Sequence, residues 1–290
     1  MGLALIVSPL TRLVTDREND MKTTVSSMCK AVVLALALSA GGASAAPIFW
    51  TDWTGDDLDS GTGFQAQGTI TTGSSTVTVT YTNPQGIGFY QPSGGIDYWQ
   101  NNRVGRNPAT SPYTSAAVDN IPSDTDIIAL SQRGPQTLAF SQAIANPVFA
   151  FVSLNGNGYA FNRDFELLSL GGQSGNDCGY WGCGGAEKKV VDLGGGNFEY
   201  QLNSNNVGGS EPHGALRFLG TFASVTWNSA SNEFWNGFTV GVQDTAIDFC
   251  TANPTAPGCA PAVGGVPEPA SLALVGLALG ALGWRRRGHA

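Results

Sequence analysis

Thr76-Val77-Thr78-Val79-Thr80-Tyr81 is the stretch that decides the fold. Its β-branched residues alternate with period two, so the threonines take one face and Val77, Val79 and Tyr81 the other, the pattern of a half-buried strand. Working outward, Pro147-Val148-Phe149-Ala150-Phe151-Val152-Ser153-Leu154, Phe165-Glu166-Leu167-Leu168-Ser169-Leu170 and Phe198-Glu199-Tyr200-Gln201-Leu202 are further strand-like runs bounded by Gly or Asn clusters. Those clusters supply turn conformations. Phe218 to Trp227 and Phe234 to Val242 complete the series. No long helical periodicity and no internal repeat interrupts it. The chain of 290 residues is 42% hydrophobic and 12% charged, with Gly, Ser, Thr, Asn and aromatics prominent, enough for one large core of short strands and tight turns. The expected fold is all-β: an antiparallel β-sandwich, jelly-roll-like, over residues 46–245.

The segment before it reads as targeting. Lys22 and Lys30 precede the apolar run Ala31 to Leu38, and the small-residue exit Gly41 to Ala46 follows, as in a Sec signal peptide. Cleavage after Ala45 satisfies the small-x-small rule, giving a signal over 21–45. Residues 1–20, with Arg12, Asp16, Arg17, Glu18 and Asp20, read as an upstream extension, because Met21-Lys22 already makes a normal start. Either Met1 or Met21 is the initiator. Export implies signal peptidase and the Sec translocon as partners.

Cysteine usage agrees with an oxidising destination. Outside the signal stand Cys178, Cys183, Cys250 and Cys259. Three connectivities are open to four cysteines, and two local bridges, Cys178–Cys183 and Cys250–Cys259, close the shortest loops. Zinc lacks both CxxC spacing and histidines, since the mature chain holds only His213 and His289.

Residues 246–265, rich in Pro, Ala, Thr and Gly, are expected to form a spacer. Residues 266–290 follow: Pro267-Glu268-Pro269, the 15-residue apolar run Ala270 to Trp284, then Arg285, Arg286 and Arg287. As a helix that run reaches about 22 Å, short of a hydrocarbon core of about 30 Å. Trp284 suits the interface and the arginines the cytoplasmic side, so the tail can stall an exported chain without anchoring it well. A plain membrane anchor is the alternative, although it has no use for a carboxylate between two prolines.

The order Pro267-Glu268-Pro269, short apolar helix, terminal arginines resembles a PEP-CTERM sorting domain. The resemblance implies that exosortase, a membrane-embedded cysteine protease of Gram-negative bacteria often found with exopolysaccharide production, processes the tail. It further implies a transient inner-membrane stage followed by release to the cell surface or beyond. Glu233-Phe234-Trp235-Asn236 ahead of Gly-Phe-Thr-Val-Gly, with Phe222 to Trp227 upstream, is also similar to sandwiches found on such proteins.

The core offers little catalytic chemistry, and the chain is not expected to be an enzyme or to need a cofactor. His213 has no GxSxG serine elbow to serve. A glycoside-hydrolysing pair could be drawn only from Glu187, Glu199, Glu211 and Glu233, and needs two carboxyls about 5–9 Å apart in a cleft. Asp52, Asp56, Asp57 and Asp59 are weak calcium candidates, out of register for an EF-hand and more in keeping with a solvated acidic loop. Tyr98-Trp99 and Tyr180-Trp181 lie in polar, turn-rich stretches and are candidate glycan contacts, whereas Trp227 and Trp235 fit the core.

Residues 46–265 hold seven Lys and Arg against more than twice as many Asp and Glu, within a net charge of -8. That balance repels nucleic acid, and it favours neutral over strongly anionic polysaccharide. The sequence therefore points to an exported surface or extracellular-matrix protein with a structural or adhesive role and glycan binding, exopolysaccharide being the expected partner, and a secreted carbohydrate-active hydrolase is the alternative.

Overall fold

The structure, a computed structural model, describes residues 45–55, 63–205 and 210–259. The expected signal peptide up to Ser44, Asp56, Asp57 and Asp59, and the whole sorting tail with Pro267, Glu268, Pro269 and Arg285 to Arg287 lie outside the described residues.

The described body is an antiparallel two-sheet protein. One sheet runs β10-β13-β8-β15-β6-β5, with β1 paired to β15. Its strands are β1 (Phe49–Trp50), β5 (Phe89–Gln91), β6 (Ile127–Leu130), β8 (Val148–Val152), β10 (Phe165–Leu170), β13 (Gly214–Phe218) and β15 (Asn236–Val242). The other runs β11-β12-β9-β14-β7-β4-β3-β2, with β16 paired to β7. Its strands are β2 (Asp52–Trp53), β3 (Phe64–Thr71), β4 (Thr76–Asn83), β7 (Gly134–Ala145), β9 (Gly158–Phe161), β11 (Ala186–Gly194), β12 (Asn197–Ser204), β14 (Thr221–Ser229) and β16 (Asp244–Thr245). From β6 to β16 the chain changes sheet at every step except the β11–β12 hairpin, so each sheet collects strands distant in sequence.

In β4 the alternation does what it promises. Val77, Val79 and Tyr81 are buried between the sheets while Thr76 and Thr78 face solvent. The rings of Phe149 and Phe238 stack in the same core at 4.9 Å, and the Trp227 ring meets both edge-on at 5.5 and 5.3 Å. Such pairs add about 0.5–1.5 kcal/mol each beyond the area they bury.

Every residue of β8 and β15 is buried, which a two-layer sandwich alone cannot provide. The cover is the segment 92–126 between β5 and β6. It lays Trp99, Tyr113, Val118 and Ile121 against Val148, Ala150 and Val152, forming a second apolar cluster with Ile48 and Trp50. Gly237 and Gly241 make room for this layer, because a Cβ there would lie 2.4 Å from Ile127 and from Ile48 respectively. Polar bonds fix the segment in place. The Arg106 guanidinium grips the Asp97 carboxylate through Nε and Nη2, both at 2.8 Å, and also donates to the carbonyls of Pro122 and Asp124. Trp99 is therefore no surface ring: it is fully buried, and its Nε1 donates to the Asp126 carbonyl at 3.2 Å.

Residues 246–252, expected as the start of a spacer, form helix α1 (Ala246–Ala252). Apolar burial does not hold it. Thr245 caps it, accepting from Asp248 N–H at 3.2 Å, and the Cys250–Cys259 disulfide folds the following turn back.

The strands give the body two distinct ends. At one end β8 begins and β13 finishes, where Asn146 and Gly220 exchange bonds of 2.8 and 2.9 Å and Thr221 reaches the Gly258 carbonyl at 3.1 Å. The last described residues lie there. At the other end β8 finishes and β13 and β15 begin, where Leu154 N–H donates to the Pro212 carbonyl at 3.1 Å.

Candidate functional site

The second end carries most of the candidate side chains. Cys178 and Cys183 are bridged with their Cα atoms 4.6 Å apart, and Gly179 and Gly182 exchange backbone bonds of 3.0 and 3.3 Å inside the loop. Tyr180 and Trp181 thus sit at the tip of a doubly closed turn.

His213 is the peg behind that turn. It is fully buried, and its Nε2 accepts the Trp181 backbone N–H at 3.1 Å. The ring proton then resides on Nδ1, facing the Tyr113 hydroxyl at 3.2 Å, and that hydroxyl lies 3.4 Å from the Tyr98 carbonyl. Burial drives the His213 pKa down to about 3, so the ring is neutral and structural at neutral pH. It is a packed histidine, deeper than its place in a loop between Pro212 and Gly214 led one to expect.

Ring follows ring outward from Trp181. Tyr180 meets Trp181 at 5.0 Å and Tyr98 at 5.2 Å; Tyr98 meets Trp235 at 4.9 Å, and Trp235 meets Phe89 at 5.2 Å. All five rings are partly exposed, Trp181 most at 37%, and the neighbouring Phe234 is 93% exposed. Of the four expected glycan contacts the structure joins Tyr98, Tyr180 and Trp181 in one strip and withdraws Trp99 into the core. Trp227 is core as expected, but Trp235 is not: it precedes β15 on the outward-facing row and is only half-buried. Sequence reasoning missed Phe89 and also Arg103, whose guanidinium lies 3.9 Å from the Trp181 ring centre and 4.7 Å from that of Tyr180.

Two of the four carboxylate candidates come together at this end. Glu211 accepts from Ser153 Oγ and from Asn155 Nδ2 at 3.3 Å, while Glu233 accepts from Asn155 N–H at 2.9 Å and Asn236 Nδ2 at 2.8 Å. Burial raises the Glu233 pKa to about 7, against the lowering effect of its bonds to Asn236 and Asn155 and with the help of the Glu211 charge. These bonds tie down the turn after β8, where Ser153 holds a left-handed φ of 64°. Glu187 and Glu199 instead pair with neighbours in the β11–β12 hairpin. Asp52 is exposed in β2, and among the described residues no group of three or more His, Cys, Asp or Glu could hold a metal ion.

The described body and the C-terminal segment together define an antiparallel two-sheet body followed by a tail. Residues 265–287 match the family model described as the PEP-CTERM protein-sorting motif. The chain therefore carries a PEP-CTERM sorting motif, the mark of an exported protein that passes through a membrane-anchored stage with exosortase as its processing partner. No curated protein and no solved structure matches the chain.

Proposed function

We propose that the exported body serves at the cell surface or in extracellular matrix as a structural or adhesive protein that binds glycan through the aromatic end. The observation that carries this reading is the strip Phe89, Trp235, Tyr98, Tyr180 and Trp181 at the end of the strands opposite Cys259, after which the tail continues. A body tethered by its tail would present that end outward. Aromatic faces stack on the apolar faces of sugar rings, and a disulfide-closed loop loses little entropy on binding.

The hydrolase alternative gains nothing specific from Glu211 and Glu233, because both carboxylates are engaged by Ser153, Asn155 and Asn236 in holding a turn. The test is retardation of the processed protein in native gels cast with a panel of polysaccharides. Trp181→Ala is expected to weaken retention by about 5- to 100-fold, the scale of one aromatic anchor. Retention of the unmutated protein by no polysaccharide in the panel would sink the reading.

A further inference from the structure

Arg103 is held in a manner its local sequence does not favour. Asn102 and Arg103 both have left-handed φ values, 51° and 61°, and Val104 N–H closes the turn on the Asn101 carbonyl at 2.9 Å. Two consecutive positive φ values define a type I′ turn, whose second central position is ordinarily glycine. An arginine there carries backbone strain that a glycine would not.

What the turn achieves is placement. Asn102 N–H bonds the Cys178 carbonyl at 3.0 Å, tying the turn to the disulfide loop, and Arg103 Nε donates to the Tyr180 carbonyl at 2.7 Å. The guanidinium then lies over Trp181 and Tyr180. Among the described residues Arg103 forms no ion pair, and its two Nη groups have no hydrogen-bond partner. The nearby charges are already committed. Arg106 is paired with Asp97, and the Asp177 carboxylate accepts from Asn101 Nδ2 at 3.0 Å and Thr110 Oγ1 at 2.5 Å.

Building on the glycan-binding reading, we propose that the outer Nη edge of Arg103 is a carboxylate-docking site, and that the glycan is a largely neutral polysaccharide carrying isolated uronate residues. A planar guanidinium matches a carboxylate through two parallel hydrogen bonds. The aromatic strip beside it provides apolar faces for the adjoining neutral sugars. The net charge of -8 opposes a polymer charged at every residue, and sparse uronates meet the local cation without that repulsion.

The experiment measures binding of the processed protein to a heteropolysaccharide with isolated glucuronates, to the same polymer with its carboxyls reduced to alcohols, and to polyglutamate. Wild type is expected to prefer the native polymer by about 10-fold over the reduced form, the scale of a charge-assisted pair. Arg103→Gly should erase that preference while leaving the melting temperature unchanged or a few degrees higher, because glycine relieves the turn. Arg103→Lys should keep only part of it.

Equal binding to native and reduced polymers would overturn the carboxylate site and leave the glycan reading standing. Binding to neither polymer would remove both. Polyglutamate held as tightly as the polysaccharide would reduce Arg103 to a general anion contact and overturn the uronate assignment. An Arg103→Gly protein that melts lower yet keeps the preference would make the arginine a structural lid on Trp181, and the proposal would fail.

Discussion

The backbone N–H of Trp181 donates to Nε2 of His213 across 3.1 Å, so the most exposed ring of the five-ring strip is seated on a fully buried imidazole 32 residues away in sequence. The loop packs this closely because residue 179 has no side chain. A Cβ there would lie 2.1 Å from His213 Cγ.

Gly179→Ala is accordingly expected to displace the imidazole or the loop and to cost about 1–3 kcal/mol, the usual range for overpacking. A melting curve checks it. Gly73→Ala is a suitable control, since Gly73, like Gly179, is outside the left-handed region but has open space around its Cβ. If Gly179→Ala melted no lower than Gly73→Ala, the close seating of the loop on His213 would be wrong.

The same seating fixes how His213 responds to acid. Its folded pKa, about 3, is depressed from 6.5, so the unfolded chain binds this proton more readily than the folded one. The stability linked to His213 is therefore fully present above pH 6.5 and declines as pH falls toward 3, at up to about 1.4 kcal/mol per pH unit. NMR of the imidazole should show a neutral ring from pH 7 down to pH 5 in the folded protein. Titration of His213 above pH 5 would contradict this.

The strands that alternate or run apolar were legible because strand burial leaves a short-range mark: Thr76 to Tyr81, Val148 to Val152 and Phe238 to Val242 all declare themselves by side-chain pattern. The covering segment 92–126 left no such mark. Its buried residues Trp99, Tyr113, Val118 and Ile121 are spaced irregularly among Gly, Pro, Asn and Ser, and whether such a segment folds back over a sheet depends on what the sheet leaves uncovered. A hint was available in β8, whose five consecutive apolar residues demand cover on both faces. Trp99 was misread by its polar neighbours, Trp235 by its nearness to a strand, and Arg103 carries no sequence signature because its importance lies in a turn conformation. The disulfide pairs were legible since short loop closures need no tertiary knowledge.

Glu233 works in the opposite sense to His213. Its folded pKa, about 7, is raised from 4.5, chiefly by burial, so the folded state holds the proton more tightly than the unfolded chain. The associated stability is fully present below pH 4.5 and is lost as pH rises through 7. Asp126, also raised to about 7, titrates in the same direction, so the contribution of Glu233 must be isolated by difference. The melting temperature of Glu233→Gln relative to wild type should climb between pH 5 and pH 8. A difference that stays flat across that interval would show that Glu233 ionises normally.

Sorting gives a prediction independent of the ligand. Pro267 and Pro269 bracket Glu268 within the matched motif, and a proline restricts its own φ and the conformations open to the residue before it, a constraint that alanine lacks. Replacing both prolines by alanine should leave uncleaved protein in the membrane fraction. Release of the double variant at the wild-type rate would show that the motif is not what exosortase reads in this chain.

The last prediction concerns the open edge of the larger sheet. Among the described residues strand β11 has β12 on one side and no strand on the other, and Val190 and Leu193 along the hairpin are 50% and 62% exposed, an invitation to pair with another chain. Lys188 counters it. Its ammonium bonds the Asp164 carboxylate and, at 2.6 Å, the Phe165 carbonyl, and lies 5.2 Å from the Phe165 ring centre, so a charge closes the rim of the sandwich beside this strand. An inward charge on an edge strand makes flat pairing with a second copy costly, because pairing would strip water from the ammonium. Lys188→Val preserves β propensity and removes that cost. In sedimentation velocity over a rising concentration series, Lys188→Val is expected to form dimers or larger species at concentrations where wild type does not. Should the two proteins sediment alike throughout, Lys188 would be serving only to cover Phe165, and the edge must be protected by something else.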